Sequence, residues 1–155
     1  MGGIPPGKPD FSRLDFRINI WERTLRNYLK MLQLKKDIIL VGDLNCIPSD
    51  LDIYDFNLNL AGNSPQEKAA FNVLLEETQM IDTFRQLNSK MRKYTWSSPV
   101  LRKKGLGCRL DFCLVSQNLK SKIKYSDVLS YDGSDHQPII LEIDLLIQKI
   151  KIQKK

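Results

Sequence analysis

An α/β layered architecture is what the residue pattern predicts. Ile38-Ile39-Leu40-Val41, bounded by Lys35-Lys36 and Gly42, is a short continuous apolar run of the kind that forms a buried strand. Between Asp15 and Lys36 apolar residues recur at helical spacing, with Trp21, Leu25, Tyr28, Leu29 and Leu32 on one face. Ser64-Pro65-Gln66-Glu67 has the form of a helix start: Ser at the N-cap, Pro at the first helical position and Glu three residues on to close a capping box.

Taken in order, Met1 to Ser12 is rich in Gly and Pro and predicts irregular backbone. The helix over 15–36 follows, with Trp21 expected as a core anchor. The first strand then runs into Gly42-Asp43-Leu44-Asn45. Cys46 to Asn63 is a polar loop; its Asp50, Asp52 and Asp55 lack the Gly and terminal Glu of an EF-hand. The Ser64 helix continues through Phe71, Leu74, Leu75 and Thr78. Met80 to Leu87 is short and mixed, Tyr94-Thr95-Trp96 reads as a strand, and Leu101 to Gly107 reads as a basic, Gly-containing loop. Cys113-Leu114-Val115-Ser116, Ile123 to Leu129 and Pro138 to Leu146 are further strands. The pattern describes one domain over 1–155, with a core at about 13–145 and a basic tail at 146–155 that is expected to fray.

Hydrophobic content of 42% and charged content of 27% are those of an ordinary globular protein. No apolar run approaches the length that spans a bilayer, so no membrane partner is expected. The first residues lack the basic-then-apolar plan of a secretory signal. Cys46, Cys108 and Cys113 are an odd number without metal-site spacing, which predicts reduced thiols in an intracellular protein. The net charge of +6 is unevenly spread. Residues 85–124 carry eleven Lys or Arg and one acid, whereas 37–84 carry nine acids and one Lys. A cationic block beside an anionic one suits a phosphate-backbone surface next to a cation site.

Three acids stand next to three strand patterns: Asp43 after the first, Asp111 before the second, and Asp135 before the last, there beside His136, the chain's single histidine. Residues i and i+2 of an extended segment point the same way, so Asp43 and Asn45 are expected side by side. Asp43 is the candidate base for water, and Asn45 the group that orients it or stabilises developing charge. Asp111 is the candidate carboxylate behind His136, fixing its tautomer. Asp135 offers a hard oxygen to Mg²⁺ or Mn²⁺. These are the ingredients of metal-assisted hydrolysis.

Gly42-Asp43-Leu44-Asn45, Asp50-Leu51-Asp52-Ile53, Ser64-Pro65-Gln66-Glu67, Ile81-Asp82-Thr83-Phe84-Arg85, Arg109-Leu110-Asp111-Phe112 and Ser134-Asp135-His136 occur in this order. Together they resemble the C-terminal half of exonuclease III-type apurinic/apyrimidinic endonucleases, of the endonuclease/exonuclease/phosphatase superfamily. The resemblance covers roughly Arg13 to Asp144. It implies the C-terminal half of a four-layer α/β sandwich, with two mixed β-sheets packed face to face between helices. It implies a Mg²⁺-dependent DNA phosphodiesterase of base-excision repair, with Mn²⁺ as a substitute, cutting 5′ to abasic sites and allowing 3′–5′ exonuclease action. In a eukaryote the location would be nuclear.

Carried over position by position, the resemblance gives Asp43, Asn45, Asp111 and His136 catalytic roles and places Asp43, Asn45, Asp135 and His136 around the metal. Trp96 and Leu110 would line the abasic-sugar pocket. Charge, not the resemblance, assigns Arg102, Lys103 and Lys104 to phosphates. The family's principal metal-binding Glu and its Asn belong to an N-terminal half that these 155 residues do not match. Gly3 and Pro6 stand where the family has an active-site Tyr and an Asn, and Cys108 where many relatives have an aromatic residue. Low activity of the chain alone is therefore expected, as is association with a separate N-terminal half or with itself through uncovered sheet. The alternatives are a non-catalytic nucleic-acid-binding remnant and a phosphatase of the same superfamily.

Overall fold

The computed structural model describes residues 11–55 and 57–145. The N-terminal positions Gly3 and Pro6 and the tail at 146–155 lie outside them.

The expected first helix forms, in three joined pieces: α1 (Leu14–Phe16), a π-helical turn (Arg17–Glu22) and α2 (Arg23–Gln33). The wider π turn changes the phase of the helix and so rotates the face that meets the core. Glu22 and Leu29 are buried and Leu25 is half-buried, whereas Trp21 and Tyr28 face solvent. Trp21 is thus not the core anchor that its spacing predicts. It lies under the Arg17 guanidinium, 4.8 Å from ring centre to carbon, an arrangement with a modest electrostatic attraction.

Strand β1 (Ile39–Asp43) follows. The helix α3 (Pro65–Thr78) starts as the sequence predicts. Ser64 Oγ accepts from the Glu67 amide at 3.2 Å, and the Glu67 carboxylate accepts from the Ser64 amide at 3.2 Å. That carboxylate also accepts from the Gly62 amide at 2.8 Å, so it ties the preceding loop to the helix. The mixed stretch over 80–87 resolves into β2 (Met80–Asp82) and α4 (Thr83–Leu87), the latter capped by the Asp82 side chain. The basic loop begins with a single helical turn, α5 (Pro99–Arg102), capped by Ser98. Strands β3 (Asp111–Ser116), β4 (Ile123–Val128) and β5 (Ile139–Ile143) complete the described elements.

Two sheets result, one in the order β1-β3-β2 and one of β4 and β5. Mixed sheets are the expectation; every strand pairing among the described residues is antiparallel. The register of the larger sheet sets Asp43 opposite Asp111, Val41 opposite Cys113 and Ile39 opposite Val115. On its helical side Leu40 and Leu44 pack with Leu29, Cys46, Phe71, Leu74, Met80, Phe112 and Leu114. Burial of side chains of this size stabilises by roughly 1.5–3 kcal/mol each.

The other side corrects the expectation of a fully buried first strand. Ile39 is 39% exposed and Val41 56%. Their cross-strand partners Val115 and Cys113 are buried, since β3 is central and touches β5. β1 is the edge strand, and no described element covers its far face. No described helix is long and apolar enough to cross a membrane.

Candidate active site

Strand pairing brings the site together. Asp43 ends β1 and Asp111 begins β3, so the two carboxylates face each other across the sheet. The third member arrives through Trp96, which bridges to Cys108 on one side and to His136 on the other. Tyr94-Thr95-Trp96 is therefore not a regular strand; Trp96 alone of the three forms bridges, to Cys108 just before β3 and to His136. His136 Nδ1 lies 2.9 Å from Asp111 Oδ2. Single ligand atoms of Asp43, Asp111 and His136 all fall within 4.8 Å of one another.

Asn45 meets Asp43 in a different way from that expected of strand alternation. Its φ of 48° turns the backbone into the left-handed region, which Asn tolerates better than most residues. Asn45 thereby folds back on Asp43, donating from its amide to Oδ1 at 2.7 Å and from its side chain to Oδ2 at 3.0 Å. Gly62 makes room for that turn: a Cβ there would lie 2.8 Å from the Asn45 carbonyl oxygen. Lost hydration pushes the Asp43 carboxyl above its usual range; the Asn45 amide opposes this, and the nearby Asp111 charge adds to it. A carboxylate raised in this way is the better proton acceptor near neutrality.

Asp135 stands apart from the three. Its carboxylate accepts from the Trp96 indole at 3.1 Å and its carbonyl from the Ser97 amide at 3.0 Å. It also lines an open cleft of about 570 Å³ with Ser97, Arg102, Lys103, Asp132 and Ser134. Arg102 reaches the Tyr131 carbonyl at 3.4 Å, while its Nε and Nη2 have no hydrogen-bond partner. Lys103 and Lys104 are exposed. Trp96 and Leu110 come together with Cys108, Ile47 and Ile53 in one apolar cluster beside the site. Burial pushes the Cys108 thiol up to about 12 and the Cys46 thiol likewise, so neither is a reactive thiolate near neutrality.

Two features escape sequence reading. Arg109 is 1% exposed, with Nε donating to Asp52 at 2.7 Å and Nη2 to Asp82 at 2.7 Å. It lies over the rings of Phe112 and Phe84, and Arg85 shares Asp52 at 2.6 Å. Burial would push the Asp52 carboxyl up, but Arg109, Ser49 and Arg85 together hold it below its usual range. The charge asymmetry between 37–84 and 85–124 was the available signal; which residues pair could not be read from it. The second feature is Thr95, fully buried among these segments.

As to cations, the trio offers two hard carboxylate oxygens and an imidazole nitrogen, and the facing acids are a like-charge pair that a divalent ion would relieve. The donor chemistry fits. It differs from the expected set in containing Asp111 and not Asp135.

The family model described as Endonuclease/Exonuclease/phosphatase family matches residues 3–136. An exodeoxyribonuclease of Bacillus subtilis is 36% identical over 148 residues, covering 91% of this chain and 58% of that protein. A DNA-(apurinic or apyrimidinic site) endonuclease of Dictyostelium discoideum is 36% identical over 146 residues, covering 90% and 40%. Among solved structures, an AP endonuclease from Leishmania major superposes with a TM-score of 0.77 at 28% identity, over 84% of this chain and 45% of that one. A 3′ phosphatase from Neisseria bound to a product DNA hairpin gives 0.78 at 25% identity, over 88% and 56%. The chain spans about half the length of the curated relatives it matches.

Proposed function

The chain belongs to the endonuclease/exonuclease/phosphatase family, and from that premise we propose that it supplies the C-terminal catalytic half of a DNA phosphodiesterase that cuts 5′ to abasic sites. The observation that carries this reading is the hydrogen bond between Asp111 and His136 beside Asp43. Asp43 takes the proton of the attacking water, its basicity favoured by the partial loss of hydration and the Asp111 charge. Asn45 holds the Asp43 carboxylate in one orientation through two hydrogen bonds. Asp111 accepts from Nδ1 and fixes the imidazole of His136, leaving Nε2 to face a phosphoryl oxygen, to which it donates when the ring carries both protons. A divalent ion, Mg²⁺ or Mn²⁺, would be held by carboxylate oxygens of Asp43 and Asp111 beside His136, without Asp135, and would neutralise charge on the phosphoryl group. Trp96 and Leu110 present apolar surface to an abasic sugar, and Arg102, Lys103 and Lys104 meet backbone phosphates.

The uncovered Ile39 and Val41 on β1 favour a complete enzyme only when this half is joined to, or meets, the remainder of a family-length fold. The test is incubation with Mg²⁺ and a duplex carrying a tetrahydrofuran abasic analogue. One arm holds the chain alone; the other adds a polypeptide matching the unmatched N-terminal portion of the Bacillus subtilis relative. Little or no incision alone and clear incision with the second polypeptide is the expected result. Turnover by the chain alone at the level of a full-length relative would refute the need for a second half. DNA binding without cutting in both arms would favour the non-catalytic alternative.

A further inference from the structure

We propose that Thr95 is the positioning residue of the Asp111–His136 couple. The inference rests on the reading that this couple acts on a phosphoryl group. Thr95 has no exposed surface. Its hydroxyl oxygen accepts from two successive amides, Leu110 at 2.8 Å and Asp111 at 3.0 Å. Its carbonyl accepts from the amide of Gln137 at 2.6 Å, next to His136. Its own amide donates to the Cys108 carbonyl at 2.9 Å. One buried residue is therefore bonded to the backbone of Asp111 and to the neighbour of His136, on segments 25 positions apart in the chain.

The arrangement answers a local need. Asp111 opens β3, and on this side no strand supplies acceptors for the amides of Leu110 and Asp111. Buried amides without partners are strongly disfavoured, so a side-chain oxygen takes the place of a ladder carbonyl. Serine or threonine can do this; an apolar residue of the same shape cannot. Neighbouring contacts hold Thr95 in turn. Trp96 exchanges two backbone hydrogen bonds with Cys108, at 2.8 and 2.9 Å, and its indole holds Asp135. Gly107 permits the close approach, since a Cβ there would lie 2.3 Å from the Trp96 carbonyl oxygen. The distance between Asp111 and His136 is thus set from behind, by a residue whose hydrogen bonds go to backbone and to neither of those side chains.

His136 is the single histidine, so its ring signals need no disentangling. In ¹⁵N-labelled chain at fixed pH, the Asp111 contact should give an imidazole skewed to the Nδ1-protonated tautomer with a slowly exchanging Nδ1 proton. Thr95→Val should move the ring ¹⁵N shifts toward those of a free imidazole and speed that exchange at least tenfold. Thr95→Ser should restore the wild-type signature, and Asp111→Asn should abolish it. Wild-type ring signals in Thr95→Val would overturn the proposal, as would equal loss in the Val and Ser variants. Should Thr95→Val not fold, amide exchange on the wild-type chain decides: Leu110 and Asp111 amides as protected as those inside β3 support it, and fast exchange at either refutes it. In the reconstituted two-half enzyme, kcat should fall on the order of tenfold in Thr95→Val with KM little changed. The ring readout needs no substrate, so failure of the phosphodiesterase reading leaves it standing and separately testable.

Discussion

Arg102 and Arg109 lie seven positions apart in one cationic block and have opposite fates. Arg109 is enclosed, paired with Asp52 and Asp82 and covered by two aromatic rings. Arg102 lines an open cleft beside Asp135, although its Nε and Nη2, like Nη1 of Arg109, are buried without a hydrogen-bond partner. Arg85, Arg92 and Lys93 side with Arg109: they are tied to Asp52, the Ile53 carbonyl and Asp127. Part of the charge that suggests a nucleic-acid surface is therefore engaged by groups of the fold itself. A buried cation is tolerated only where carboxylates are packed against it, and the same residue type is free for a ligand only where they are not.

The contrast breaks most sharply at Arg109. Arg109→Met would leave Asp52 and Asp82 buried with fewer counter-charges, a change that costs roughly 3–5 kcal/mol. Urea unfolding measures it; a loss below about 1 kcal/mol would mean that the network relaxes easily.

Acid titration sharpens the comparison further. The lowered Asp52 carboxyl contributes stability present above the usual carboxylate range and lost as pH falls through its folded value. Asp43 has the opposite sign: its raised carboxyl binds a proton in the folded state first, so stability rises as pH falls from neutrality toward the usual range. Thermal melts across pH should thus show a shallow maximum in mild acid and a fall below it. Asp43→Asn should remove the mild-acid rise and keep the fall. A monotonic curve in the wild type would contradict both directions.

The smallest effect on the fold is expected at the open end of the comparison. Replacing Arg102, Lys103 and Lys104 by Ala should change stability by no more than about 0.5 kcal/mol. It should nevertheless weaken DNA binding and flatten the plot of log affinity against log salt, by up to about 3 if all three touch phosphates, at roughly 0.9 per contact. Fluorescence anisotropy over a salt series reads this, and an unchanged slope would reduce the run to a solvated turn.

Local chemistry determined much of the outcome. The capping box at Ser64 and the strands beside Asp43 and Asp111 were legible, because periodicity and capping act over a few residues. The meeting of Asp43, Asp111 and His136 was expected from acids beside strand patterns and from the resemblance, but Asp135, expected with them, stands apart. Three things were decided only by the tertiary structure. The π turn at 17–22 rotated Trp21 out of the core, since helix phase depends on hydrogen bonds that residue spacing does not encode. Which arginines are buried depended on carboxylates 27 and 57 positions away. Ile39 and Val41 have the sequence of a fully buried strand, yet only one face of β1 is covered among the described residues. An apolar side chain records that burial is favourable, but only the folded neighbours can provide it.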